Sequence, residues 1–177
     1  MLEKYDTWKV LELFFKKPTY PFHLREICRI LKWSPTKVRD NLNFLKKRNL
    51  IVEQKEKNLS IFKSNRENKE FKIYKIIYNL IKAEEIGEMI ENSLEDFEAI
   101  VFFGSALRGE DIENSDLDFC VIGSKEVEIR LEKMEEALNR KISLIFLENL
   151  EKLKKENKEL LNNLINGFVV KGYLKVF

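Results

Sequence analysis

At 177 residues, 44% of them hydrophobic, the chain can form one or two compact domains with real cores. No apolar run approaches the ~20 residues of a membrane span and the Lys- and Glu-bearing start is not a signal peptide, which excludes an integral membrane protein and predicts a soluble, cytoplasmic one. Two isolated cysteines, Cys28 and Cys120, and a single histidine, His23, exclude a zinc site and predict free, buried thiols.

The net charge of +2 conceals two halves of opposite sign. Residues 1–65 hold 15 Lys and Arg against 7 Asp and Glu, net +8, while residues 66–177 hold 17 against 23, net −6. Such a split predicts two domains with different partners.

In chain order, residues 5–16 read as a helix with Trp8, Leu11 and Phe15 along one face, ended by Lys17-Pro18-Thr19-Tyr20-Pro21. A second helix is predicted over 22–31 from Leu24, Ile27, Cys28 and Leu31 at helical spacing. Ser34-Pro35, an N-cap followed by proline at the first helical position, opens a third helix to about residue 48, with Val38, Leu42 and Leu45 inward. Two β-prone stretches, 51–55 and 59–63, follow around Glu56-Lys57-Asn58. Three helices and a hairpin in about 60 residues is the winged helix-turn-helix order. Residues 67–91, with Phe71, Tyr74, Ile77, Tyr78 and Ile81, read as a connecting helix that either joins the domains or forms a dimer contact. Strands are then predicted at 99–103, 116–122, 141–147 and 168–176, and helices at 125–138 and 150–163. The expected class is therefore α+β: a winged-helix domain over 1–65, a connecting helix within 66–94, and a small mixed sheet with helices over 95–177.

One segment carries chemistry: Val101-Phe-Phe-Gly104-Ser105-Ala-Leu-Arg108-Gly-Glu-Asp-Ile-Glu-Asn-Ser-Asp116-Leu-Asp118-Phe119. Ten residues separate Ser105 from Asp116. Strand alternation points Asp116 and Asp118 to one side, where two carboxylates repel unless a cation joins them. Hard oxygen ligands of this kind suit Mg²⁺, which keeps waters and takes other ligands from phosphates. Gly104 lets the backbone approach a phosphate, and Ser105 with nearby N–H groups can hold it at a helix N-terminus. Taken singly, Gly104-Ser105 also reads as an ordinary strand-to-helix turn and the aspartates as a solvated edge; the spacing argues for the site.

The segment resembles the GS-x10-D-x-D signature of the polymerase-β-like nucleotidyltransferase superfamily. Within it, the resemblance is to prokaryotic minimal nucleotidyltransferases, including antitoxins paired with HEPN-domain toxins. Arg108-Gly109-Glu110, Ser115-Asp116 and Asn166-Gly167-Phe168-Val169-Val170 extend the likeness over residues 95–177. It implies that Asp116 and Asp118 are catalytic and bind Mg²⁺ around the triphosphate of ATP or another NTP. Gly104, Ser105 and Arg108 would hold the nucleotide, and an acceptor hydroxyl on a HEPN-type toxin or another protein would attack the α-phosphorus. The likeness departs at Lys141-Ile142-Ser143-Leu144-Ile145: Ser143 stands where the family places a third carboxylate. Glu148 could substitute only if that strand ended early. This favours an alternative, a DNA-binding transcriptional regulator whose nucleotide-binding domain is catalytically degenerate.

The third helix would be the recognition helix, and it resembles those of prokaryotic regulators. Thr36, Lys37, Arg39, Asn43, Lys46 and Lys47 are its candidate DNA contacts, with Lys55 and Lys57 on the wing. Asp40 within that surface points instead to a structural or protein-binding module. Binding duplex DNA would imply a homodimer, since one such module alone is usually too weak.

Overall fold

The structure, a computed structural model, describes residues 5–56 and 59–175. The chain is mixed α+β with two sheets and divides into two compact units, Met1–Tyr78 and Asn79–Phe177.

The first unit contains α1 (Tyr5–Lys16), β1 (Phe22–His23), α2 (Leu24–Leu31), α3 (Pro35–Lys47), β2 (Ile51–Glu56), β3 (Leu59–Ser64) and the first turns of α4 (Lys69–Glu91). Val10, Leu11, Phe14 and Phe15 of α1 and Val38, Leu42 and Leu45 of α3 are all buried, each set forming one helical stripe. Ser34 Oγ accepts the Lys37 N–H at 3.4 Å and Pro35 takes the first helical position, where its missing N–H costs nothing. The second helix starts later than expected. Phe22 and His23 pair with Phe62 and Ile61 of β3, making an antiparallel sheet in the order β1-β3-β2. Phe22 packs its ring edge-on against Phe14, with centroids 5.1 Å apart, so tertiary burial holds this residue extended. Lys57 and Asn58 lie outside the described residues.

The division between units falls between Tyr78 and Asn79, inside α4, whereas the sequence suggested a separate connecting piece over 66–94. The second unit continues with β4 (Ala99–Phe103), a 3-10 turn (Ala106–Arg108), β5 (Leu117–Ile122), α5 (Glu132–Leu138), β6 (Ile142–Leu147), α6 (Glu151–Glu156), α7 (Lys158–Ile165) and β7 (Phe168–Gly172). Its sheet runs β6-β5-β4-β7; β5 and β6 are parallel and the other pairs antiparallel. One face packs Ile100, Phe102, Phe119 and Val121 with Ile86 and Ile90 of α4. The other packs Val101, Phe103, Cys120 and Ile122 with Leu153 of α6 and Leu164 of α7. Burial on both faces is why β4 reads as an unbroken apolar run and not as an alternation.

Three elements differ from expectation. Only Glu132–Leu138 is helical in the stretch read as a helix over 125–138. Val127, Ile129 and Leu131 recur every second residue, a pattern without a helical stripe. The helix expected over 150–163 is broken at Asn157, whose backbone is non-helical and whose Oδ1 accepts the Leu160 N–H at 3.0 Å as the cap of α7. The last strand stops at Gly172, with φ +74°; Val176 lies outside the described residues. Both cysteines are free: Cys120 is buried, which pushes its thiol pKa up to about 12, and Cys28 is only half-buried. Among the described residues, no helix is long and apolar enough to cross a membrane.

Candidate functional site

Gly104 leaves β4 with φ +83°, a conformation that costs a side-chain-bearing residue. A Cβ at this position would also collide with the Asp118 carboxylate. The glycine therefore serves the turn and the packing of a carboxylate against it. Antiparallel pairing of Phe103 with Asp118 brings the two ends of the motif together across the ten-residue spacer. Ser105 opens the 3-10 turn, its carbonyl accepting the N–H groups of Arg108 and Glu110 at 3.1 and 3.0 Å. The sequence reading put Ser105 at a helix N-terminus. Three residues of 3-10 turn carry little macrodipole, so a phosphate here would rely on the hydroxyl, turn N–H groups and Arg108. Arg108 is more than half exposed and its Nε pairs with Glu110 at 3.0 Å.

Asp116 is exposed immediately before β5, and Asp118 is half-buried as that strand's second residue. Burial first, and the neighbouring Asp116 carboxylate second, push the Asp118 carboxyl pKa above its ordinary value. The Arg140 guanidinium, a hydrogen bond from the Ser143 hydroxyl and the charge of Arg108 offset this only in part. Among the described residues, no Lys or Arg nitrogen lies within ion-pair distance of either carboxylate. The pair is thus an under-compensated negative site beside a glycine turn.

A buried clasp, invisible in the sequence motif, holds the spacer. Arg140, its side chain 10% exposed, donates from Nη1 to Asp111 Oδ2 at 2.7 Å. It also donates from Nε to the Ser115 carbonyl at 2.8 Å and from Nη2 to the Asp116 carbonyl at 3.2 Å. Asn79 of α4 donates from Nδ2 to Asp111 Oδ1 at 3.0 Å and to the Ala106 carbonyl at 2.7 Å. Asp111 and Asn79 are 1% and 2% exposed, so the centre of this network is internal, while Arg140 reaches the surface at Asp116. Asn79 shares a buried stripe with Ala83, Ile86 and Ile90, and a polar residue on an inward stripe was the one available signal.

Parallel register places Ser143 opposite Asp118, and β6 runs on to Leu147. Glu148 therefore lies past the far end of a six-residue strand, about 16 Å from Ser143, and lines a separate cavity with Phe146 and Leu153. It cannot take the third carboxylate's place. Among the described residues, no group of three or more His, Cys, Asp or Glu side chains is arranged to hold a metal ion. The Asp116 and Asp118 carboxylates and the Ser143 hydroxyl nevertheless form an all-oxygen donor set. It fits a hard divalent ion that keeps waters and brings phosphate ligands with it. An open cleft of about 560 Å³ adjoins Asp116 and Arg140 on the side of Glu135 and Lys141.

In the first unit, Thr36, Arg39, Asn43 and Lys47 are exposed along one side of α3. The other two candidates are engaged within the unit. Lys37 pairs with Asp6 at 2.9 Å and lies 4.0 Å from the Trp33 ring centroid, and Lys46 pairs with Glu53.

Residues 86–166, which include the whole motif and Ser143, match the family model described as "Nucleotidyltransferase domain". Among solved structures, the chain is similar to one described as "Crystal structure of the toxin-antitoxin with AMP-PNP". That similarity has 21% identity and a TM-score of 0.39, covering 52% of this chain and 73% of the other. No curated protein matches the chain.

Proposed function

We propose that the second unit binds ATP or another nucleoside triphosphate with Mg²⁺ and transfers the nucleoside monophosphate to a partner's hydroxyl, as an antitoxin-type nucleotidyltransferase does. The observation that carries this is the Asp116–Asp118 pair, under-compensated and set against the Gly104 turn. Gly104 and Ser105 would receive the outer phosphates and Arg108 would offset their charge. Asp116 and Asp118 would hold Mg²⁺, which when bound supplies positive charge to the triphosphate. The acceptor oxygen would bond to the α-phosphorus as the bond to pyrophosphate breaks, with the acceptor's proton passing to water. A protein acceptor such as a HEPN-type toxin is the partner class that the sequence likeness suggests.

Ser143 favours a second reading, nucleotide binding without efficient turnover. A hydroxyl opposite Asp118 supplies neither a metal-binding charge nor a base, and a positioned general base contributes roughly 10²- to 10⁴-fold. In that reading the protein is a DNA-binding regulator. The first unit would be a winged helix placing Thr36, Arg39, Asn43 and Lys47 on duplex DNA, with the ion-paired Lys37 and Lys46 adding less.

Millimolar Mg²⁺ with ATP is expected to raise the melting temperature. Ligand at a hundred times its dissociation constant stabilises by about 2.7 kcal/mol, and Asp116→Ala should lose most of that. A wild-type protein that does not respond would refute the site assignment. For the first unit, fluorescence anisotropy with duplex DNA is expected to show salt-dependent binding that Arg39→Ala weakens by about 1–3 kcal/mol. Equal binding by that variant would remove α3 from the interface.

A further inference from the structure

We infer that Arg140 is a positioning residue of the proposed metal and nucleotide site, its guanidinium fixing where Asp116 and Asp118 stand. This rests on the reading above and adds to it a residue outside the motif. Between Ser105 and Asp116 the chain forms the three-residue 3-10 turn and a second turn in which the Ser115 N–H donates to the Ile112 carbonyl at 3.1 Å and the Ile112 N–H to Ser115 Oγ at 2.9 Å; both are local, and Glu110, Ile112 and Asn114 are exposed. The clasp grips it at three points: Asn79 at the Ala106 carbonyl, Asn79 and Arg140 together at Asp111, and Arg140 at the Ser115 and Asp116 carbonyls. Arg140 thereby links the backbone of Asp116, through Asp111 and Asn79, to the turn beside Gly104, and it also stands near Asp118. Stability alone does not call for this arrangement. Burying an ion pair costs desolvation, and apolar residues of similar volume often do as well. Only arginine's rigid fork of donors serves three acceptors on one segment in fixed geometry. Lysine, a point charge on a flexible stem, does not reproduce it.

The experiment measures Mn²⁺ affinity in the presence of ATP, from the free-Mn²⁺ electron paramagnetic resonance signal, on full-length protein held well below its melting temperature. Melting temperature without ligand is recorded in parallel. Arg140→Gln alone takes the guanidinium away from the buried Asp111 carboxylate and is expected to melt lower. Arg140→Gln combined with Asp111→Asn removes both charges and is expected to recover most of that loss. The two readouts should then separate. The double variant and Arg140→Lys should both bind Mn²⁺ with ATP about 10- to 100-fold more weakly than wild type, the range for lost outer partners of metal ligands. Wild-type affinity in folded Arg140→Lys or in the double variant would reduce the clasp to a structural staple and overturn the inference. Failure of wild type itself to bind Mn²⁺ with ATP would instead refute the parent reading, and this inference with it.

Discussion

Asp118→Asn is expected to melt higher than wild type without ligand and to lose the response to Mg²⁺ and ATP altogether. The two effects have one origin. Burial and the Asp116 carboxylate raise the Asp118 pKa in the folded chain, so folding disfavours its ionised form. Its stabilising contribution is complete below the ordinary carboxylate value near pH 3.9 and is lost as pH rises through the raised folded-state value. At neutral pH the ionised group therefore opposes folding. A neutral amide of the same shape relieves that and can still accept the hydrogen bond from Ser143. It cannot provide the charge that grips a cation, so about 2.7 kcal/mol of linkage at a hundredfold ligand excess disappears. Differential scanning fluorimetry at pH 7, with and without Mg²⁺ and ATP, reads both signs at once. A lower melting temperature for the unliganded variant would mean that Asp118 is fully compensated in the folded state. Sites that store unfavourable charge for a ligand commonly trade stability for binding in this way.

Ser143→Asp is expected to act in the opposite sense on both quantities. The parallel register sets residue 143 beside Asp118, so an aspartate there would stand next to the existing pair. Three like charges should lower the unliganded melting temperature, while Mn²⁺ affinity rises about tenfold or more, the inverse of losing a supporting group. If an acceptor protein is supplied, transfer of labelled AMP should accelerate by roughly 10²-fold or more, the contribution of a positioned base. The same assay separates the two readings of function. Transfer by wild type that is absent in Asp116→Ala/Asp118→Ala supports the enzyme, while DNA binding without transfer supports the regulator. Unchanged metal affinity in Ser143→Asp would mean that residue 143 does not face the ion.

Much of this arrangement was legible from local chemistry. The run Ala99-Ile-Val-Phe-Phe announces a strand covered on both faces, because no alternation survives when both sides are dry. Ser34-Pro35 marks the start of α3 through two independent preferences, for a capping hydroxyl and for a residue lacking an N–H. The ten-residue spacing between Ser105 and Asp116 singled out the residues proposed for the site. Residues 125–131 show where local reading misleads: a charged stretch with plausible helix formers stays irregular up to α5, its apolar residues Val127, Ile129 and Leu131 recurring every second position.

Interactions between positions far apart in the chain were not legible, because each partner taken alone is an ordinary polar residue. Asn79, Asp111 and Arg140 belong to a helix, a loop and the approach to a strand, and only folding makes them one network. Lys37 and Lys46 read as free cations on α3, yet Asp6 and Glu53 occupy them from other elements. Glu148 looked a short reach from Ser143 in sequence, but an extended strand carries it to the opposite end of the sheet. The order of elements and the carboxylate motif were written in hydrophobic period, caps and spacing, which act over a few residues. Which charges remain free, and what holds the carboxylates in place, depended on register and burial, which exist only once distant segments have packed.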